Sequence, residues 1–364
     1  MKIGILTFHC AHNYGAVLQC YATQEFLRSK GFEVEIINYR PDYLLQPYQL
    51  FDYRRILNKN VIHSLKSIIV EILLFRIRYK RWRAFERFIN QRILLSNVVT
   101  RQSIPGNYDA YIVGSDQIWN SQITRGFDDI YFCNFPFIKA SKKYIAYAAS
   151  MEACKLDYNS LQFCKTKLNN FDAVSVREKE LLSLFRGHVN IPIKQVLDPT
   201  LMVSPELWNR FSKMEKIKRK YVVVYQVRHN LNTLRIANHI AKQIGAEVLV
   251  LVAWLQLKSK KTFQNASPED FINIIRNAAF VVTTSFHGTA FSIVFNRSFY
   301  TIKLNDGTDS RSSSLLNSLG LEDRMINMDD SPLFSEVDYA TVNSRLDILR
   351  QQSQDFLLNS LNDE

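Results

Sequence analysis

Two side chains in this 364-residue chain have surroundings suited to anion and proton-transfer chemistry. His287 stands in Thr283-Thr284-Ser285-Phe286-His287-Gly288-Thr289, a polar strand end running into a helix. The positive end of a helix disfavours an imidazolium unless a bound dianion restores it. Arg177, in Val176-Arg177-Glu178, follows an apolar run read as a buried strand. There a guanidinium requires a partner: either an internal carboxylate, Glu178 or Asp172, or a bound carboxylate or phosphate that fits its planar fork. Further cations follow other strand ends, Arg228 after Gln226-Val227 and Arg311 after the polar stretch 305–310.

Acceptors and stacking groups gather elsewhere. In Gly114-Ser115-Asp116-Gln117-Ile118-Trp119-Asn120, Asp116 suits a base that takes a proton from a sugar hydroxyl, and Trp119 suits a ring that stacks on a sugar face. Ser115 and Asp116 would serve equally as caps of a following helix. The turn around Asn13-Tyr14-Gly15 offers backbone N–H groups at a helix N-terminus, fit for a phosphate or carboxylate, although Asn13 as a cap and Gly15 as a packing residue explain it too.

The same reading excludes several chemistries. There is no P-loop, no GxGxxG, no GxSxG elbow and no cluster with metal-ligand spacing, so neither a metal nor a tightly held cofactor is expected. Cys10, Cys20, Cys133, Cys154 and Cys164 are scattered and odd in number, which fits reduced thiols in a cytoplasmic protein. The start, MKIGILTFHCAHNYG, lacks the long apolar region of a signal peptide and reads as a first strand. The best membrane-span candidate, 67–75, is interrupted by Glu71 and flanked by cations.

The elements that must hold these residues are short unalternated apolar runs, the pattern of parallel strands buried on both faces. They fall at 2–8, 34–39, 109–114, 143–149, 171–176, 194–197, 221–227, 246–253, 279–284 and 299–304. Tyr14 to Gly31 reads as a helix with a glycine C-cap, and 267–278 as a helix with Ser267 as N-cap, Pro268 at its first position and acids in its first turn. Two successive β/α arrays imply an α/β protein of two Rossmann-like domains facing a cleft, 1–203 and 204–364, the second with a C-terminal helical tail. Ligands in such sheets lie beyond the carboxyl ends of the strands, where the candidate residues fall.

One segment departs from this rhythm. Between Arg54 and Arg92, eleven basic residues face only Glu71 and Glu86, a local +9 within a net charge of +12. It reads as a basic helical insertion over 50–95. A solvated face explains it, as does peripheral contact with anionic lipid at the inner membrane face or with a lipid-linked acceptor. No nucleic-acid-binding motif accompanies the charge.

Taken together, IGILTFHCAHNYGAVLQCYA, YDAYIVGSDQIWN, YIAYAAS, FDAVSVREKE, VLDPTL, VVTTSFHGTAFSIVFNRSFY and RSSSLLNSLGLEDR, in this order from residue 3 to about 324, resemble the polysaccharide pyruvyl transferase family. The resemblance implies a GT-B-like fold, phosphoenolpyruvate as donor and co-substrate, and as acceptor a sugar of a surface polysaccharide or its lipid-linked precursor, giving a pyruvate ketal. It implies a basic interdomain pocket in which Arg177 and His287 contact the donor; for ketal formation from that donor, His287 suits the acid or phosphate partner, Arg177 the clamp and Asp116 the base. Contacts are expected from Asn13, Tyr14, Gly15, Ser115, Gln117, Trp119, Ser150, Arg228, Ser285, Gly288, Thr289 and Arg311. Some relatives carry Arg two residues before the His, where this chain has Ser285, so that either donor binding leans on Arg177, Arg228 or Arg311 or the donor is posed differently. A nucleotide-sugar glycosyltransferase of the same architecture and a noncatalytic partner of polysaccharide machinery are the alternatives.

Overall fold

The computed structural model describes the chain apart from residues 51–60, 138–140, 153–155, 188, 212–216, 218, 228–229, 253–261 and 363–364, and apart from the side chains of 61–71 and 262. The first sheet holds β1 (Lys2–Leu6), β2 (Glu33–Tyr39), β3 (Leu95–Val99), β4 (Ala110–Asp116), β5 (Lys143–Ala149), β6 (Ala173–Val176) and β7 (Ile193–Gln195) in the order 3-2-1-4-5-6-7. The second holds β8 (Tyr221–Gln226), β9 (Glu247–Val252), β10 (Thr262–Phe263), β11 (Phe280–Thr283), β12 (Phe299–Ile302) and β13 (Met325–Ile326) in the order 10-9-8-11-12-13. All pairings among them are parallel. Each half repeats the Rossmann order, with its switch point between β1 and β4 or between β8 and β11, so the architecture is α/β and GT-B-like. The central strands β4, β5, β8 and β11 are buried almost throughout, as their unalternated apolar sequences require.

The helices that frame the site are α1 (Tyr14–Ser29), α2 (Val61–Arg92), α3 (Pro199–Met202), α4 (Pro268–Arg276), α5 (Phe286–Val294), α6 (Asp309–Leu319) and α7 (Tyr339–Leu361). Helix α1 ends with Gly31 at φ +84°, a left-handed conformation that favours glycine. Helix α4 opens with the expected Ser267 cap, closed into a capping box by Asp270.

Two expectations are corrected. The basic helix α2 is not an insertion: β3, a short and half-exposed edge strand, follows it, so α2 is the crossover between β2 and β3. The strand pattern is weak there because an edge strand buries little. The C-terminal helix α7, assigned by sequence to the second domain, bridges both: Tyr339 Oη donates to Arg297 O (2.6 Å) and Arg345 Nη1 to Leu319 O (3.0 Å) of the second, while its later turns reach the first. Arg350 Nε donates to Leu201 O (3.1 Å), Gln354 Nε2 to Met202 O (2.9 Å) and Lys143 Nζ to Leu361 O (2.9 Å).

The two halves share one apolar cluster running from β1 and α1 to α4, α5 and α7. Tyr14 lies at its centre, stacked on Phe271 at 4.7 Å and donating its hydroxyl to Ala266 O across the domains. From α2, buried Arg81 donates to Val252 O (2.8 Å) and Gln264 O (3.3 Å) of the second domain while its guanidinium covers the Tyr14 and Phe85 rings.

Candidate active site

The carboxyl ends of both sheets meet at a cleft of about 330 Å³, lined by Asn13, Asp116, Gln117, Ser285, His287 and Arg311 among others. From the first domain, β4 delivers Asp116 and the turn after β6 delivers Arg177 and Glu178; from the second, α5 delivers His287 and the first turn of α6 delivers Arg311. One residue not singled out by sequence, Asp198, joins the two sides. It caps α3, its Oδ1 accepting from Thr200 N (2.9 Å) and Thr200 Oγ1 (2.7 Å). Its Oδ2 accepts from Arg177 Nη1 at 2.6 Å and from Ser115 Oγ at 3.3 Å, and stands 3.7 Å from His287 Nε2. The guanidinium of one domain and the imidazole of the other thus converge on a single oxygen.

This cluster is buried and incompletely satisfied. Arg177 is 5% exposed. Its Nη2 lies 3.7 Å from Asp116 Oδ1 and its Nε 3.6 Å from Glu178 Oε1, beyond hydrogen-bonding distance, so both nitrogens lack a partner. His287 Nε2 and Arg311 Nε are buried without a hydrogen-bond partner as well. Burial opposes the charge on Asp198, but the His287 ring and the Arg177 guanidinium more than reverse this and hold its carboxyl well below the usual range. Burial likewise opposes the charge of Arg177, and Asp198, Glu178 and Asp116 overcome it. Burial pushes Glu178 up, offset only in part by Arg177 and the Ser150 hydroxyl. Arg311 is pushed down, first by burial and then by the charge of Arg177. Two mutually repelling guanidinium groups with unused donors are stabilised by an anion placed between them.

The two helix N-termini at the cleft differ. At α1 the Asn13 side chain accepts from Gly15 N and Ala16 N, so the N–H groups expected to receive an anion are already capped. At α5 no side chain caps the first turn, and Ser285, Phe286 and His287 at that end all line the cleft. A Cβ at Gly15 would overlap the imidazole of His287, so the close approach of α1 to this ring requires glycine.

A family model described as "Polysaccharide pyruvyl transferase" matches residues 13–306. The chain belongs to the polysaccharide pyruvyl transferase family. Membership makes it a transferase of polysaccharide modification. No curated protein gives a significant match. Among solved structures the transferase is similar to Arabidopsis thaliana UGT89C1, with 10% identity, 99% of each chain covered and a TM-score of 0.48. It is also similar to Methanocaldococcus jannaschii UDP-GlcNAc 2-epimerase in complex with UDP-GlcNAc and UDP, with 9% identity, 99% of each chain covered and a TM-score of 0.46.

Several residues expected at the site of this pyruvyl transferase family member serve its frame instead. Trp119 is 0% exposed, stacks on Phe132 and donates Nε1 to Tyr131 O, so no sugar can reach it. Tyr14 belongs to the interdomain core. Ser115 is buried against Asp198 and Ala148 O, and Ser150 donates to Glu178 Oε1 at 2.6 Å. Gly288 abuts Thr283 and Tyr225, and Thr289 bonds Thr301 at 2.6 Å beneath α5. Arg228 lies outside the described residues. Arg177 sits one layer behind the cleft wall, its guanidinium 4.8 Å from the Phe286 ring, and with Asp198 lines a second cavity of about 250 Å³. The signal for Asp198 was Asp before Pro after a strand, which reads only as a cap; its second oxygen finds Arg177 through the fold. Among the described residues, no group of three or more His, Cys, Asp or Glu is arranged to hold a metal ion.

Proposed function

We propose that this transferase moves a pyruvyl group from phosphoenolpyruvate to two hydroxyls of a sugar, in a surface polysaccharide or its lipid-linked precursor, and closes a cyclic ketal. The observation that carries the reading is the set of buried, unpartnered donors on Arg177, Arg311 and His287 beside the uncapped start of α5. Phosphoenolpyruvate brings a carboxylate and a phosphate on one small carbon frame, which matches two guanidinium groups and a helix N-terminus. With Ser285 at the cap position, the donor's charge falls to Arg311 in the cleft wall and to Arg177 behind it.

His287 gives a proton to C3 of the donor, leaving C2 oxocarbenium-like. The first sugar hydroxyl bonds to C2 and passes its proton to Asp116. Asp116 then hands this proton to the phosphate oxygen as its bond to C2 breaks, inorganic phosphate leaves as hydrogen phosphate, and the second hydroxyl bonds to C2, its proton returning to His287. The sum is donor plus diol giving ketal plus phosphate. Asp198 acts as a positioning residue, its Oδ2 holding Arg177 Nη1 at 2.6 Å and standing 3.7 Å from His287 Nε2.

Isothermal titration of the protein with phosphoenolpyruvate and with a panel of nucleotide sugars tests the reading. Phosphoenolpyruvate is expected to bind, and more weakly when Arg311 is replaced by Gln. Binding of a nucleotide sugar without phosphoenolpyruvate assigns the protein to glycosyl transfer instead. Mass spectrometry of candidate glycans incubated with labelled phosphoenolpyruvate then identifies the acceptor.

A further inference from the structure

Helix α2 has two faces with opposite fates. Leu74, Arg81, Phe85, Phe88 and Ile89 are buried against the protein, whereas Ile72 is 65% and Leu73 59% exposed, with Phe75 and Tyr79 also exposed. Arg76, Lys80, Arg83 and Arg87 are exposed among them. Steps of three and four residues connect 72 to 75, 79 and 83, and 73 to 76, 80, 83 and 87, so these side chains share one outward face. Aliphatic groups and cations are interleaved on it; of the two acids in α2, Glu71 precedes Ile72 in sequence, and Glu86 is turned inward to His12 (2.9 Å) and Arg40 (3.2 Å). A solvated basic face needs no exposed Ile and Leu. A helix lying in a lipid interface needs both, apolar groups to enter the acyl boundary and cations to meet the headgroups.

From this face we infer that the protein docks on an anionic lipid surface through α2, with Ile72 and Leu73 inserted and Arg76, Lys80, Arg83 and Arg87 at the headgroups. The inference stands on the surface alone and is independent of the reaction. Among the described residues no helix is long and apolar enough to cross a membrane, so the contact is peripheral. Docking also places the cleft near the lipid. Phe85 on the inner face of α2 stacks on His12 at 5.2 Å, next to Asn13 of the cleft wall, and Tyr48, another wall residue, lies 5.4 Å from the same imidazole.

The test is sedimentation of the full chain with vesicles of phosphatidylcholine alone and of phosphatidylcholine mixed with phosphatidylglycerol. Binding is expected to the mixed vesicles, at least about 10²-fold tighter than to the neutral ones and weakening as salt is raised. Replacing Arg76, Lys80, Arg83 and Arg87 by Gln one after another is expected to weaken binding by about fivefold each. The Ile72→Ser, Leu73→Ser pair should weaken it by about tenfold while preserving the preference for anionic lipid. Thermal unfolding of each variant controls for folding, and the graded Gln series keeps the measurement interpretable if the quadruple variant is unstable. Equal binding to both vesicle types, or binding unchanged by the Gln series, overturns the inference. So does duplex DNA that competes as well as lipid while the Ser pair has no effect, since the surface would then be a general polyanion site.

Discussion

Two clusters in this molecule each combine an arginine, a histidine and a carboxylate and come to opposite ends. In one, Arg177 and His287 converge on Oδ2 of Asp198; in the other, Arg40 and His12 converge on Oε1 of Glu86, at 3.2 and 2.9 Å. The second is closed. His12 is in hydrogen-bonding contact with the carboxylate and stacked on Phe85, and none of its three members has a buried unpartnered side-chain atom. It joins α2 to the turn after β1. The first is open: its carboxylate is fully used, yet Nε and Nη2 of Arg177 and Nε2 of His287 remain buried and unpartnered. An unmade hydrogen bond from a buried charged group is costly, so a cluster that leaves three of them is arranged for something that is not part of the chain. The difference teaches that satisfaction, not composition, separates a joint from a site.

The comparison breaks most visibly at Asp198. Asp198→Asn removes the shared carboxylate charge and leaves the buried Arg177 guanidinium without its closest ionic partner, with an expected loss of about 3 to 5 kcal/mol in urea unfolding at neutral pH. An anion should replace it, so phosphate or phosphoenolpyruvate is expected to raise the thermal midpoint of this variant more than that of the parent. Equal shifts would mean that the cluster holds no anion.

Next in size is the pair Arg177→Ala and Arg40→Ala. The first is expected to lower turnover by about 10² to 10³-fold, as for the loss of an electrostatic transition-state contact, and the second to leave turnover within about twofold. A similar loss in both would erase the distinction.

A third histidine sharpens it from another side. His9 is buried with an amide, Asn38, at 3.1 Å instead of a carboxylate, and burial lowers its pKa to about 4 despite the bonds to Asn38 and Thr7 O. The folded protein keeps His9 neutral while the unfolded chain takes up a proton near pH 6.5, so stability falls as pH drops from 6.5 towards 4. The gap is worth about 3 kcal/mol, measurable as urea midpoints across that window, and His9→Gln should flatten the slope. The smallest expected effect is His12→Ala: a loss of about 1 to 2 kcal/mol in stability from a broken buried contact, with phosphoenolpyruvate affinity unchanged by calorimetry.

Much of the frame was legible. The buried strands were found because a parallel sheet covered on both faces must be apolar without alternation, and β5 matches its expected 143–149 at both ends. Strands β3, β10 and β13 were missed because short edge strands bury too little to leave a pattern, and missing β3 turned a crossover helix into an apparent insertion. At the site, His287, Arg177, Asp116 and Arg311 were singled out from charge or polarity at strand ends. Trp119 was misread for the converse reason. A large amphipathic ring near a polar turn looks the same in sequence whether its nitrogen meets a sugar or, as here, Tyr131 O.

The sequence alone determined the local terms: which runs are apolar enough to be central strands, where Ser267 and Asn13 cap helices, where Gly31 ends one, and that α2 carries an excess of cations. Each depends on neighbours within a few residues. Only the tertiary structure decided which charge meets which. Asp198 stands 21 residues from Arg177 and 89 from His287, and no local periodicity links them. Pairing across the domains, and the donors it leaves over, arises from where two sheets end in space.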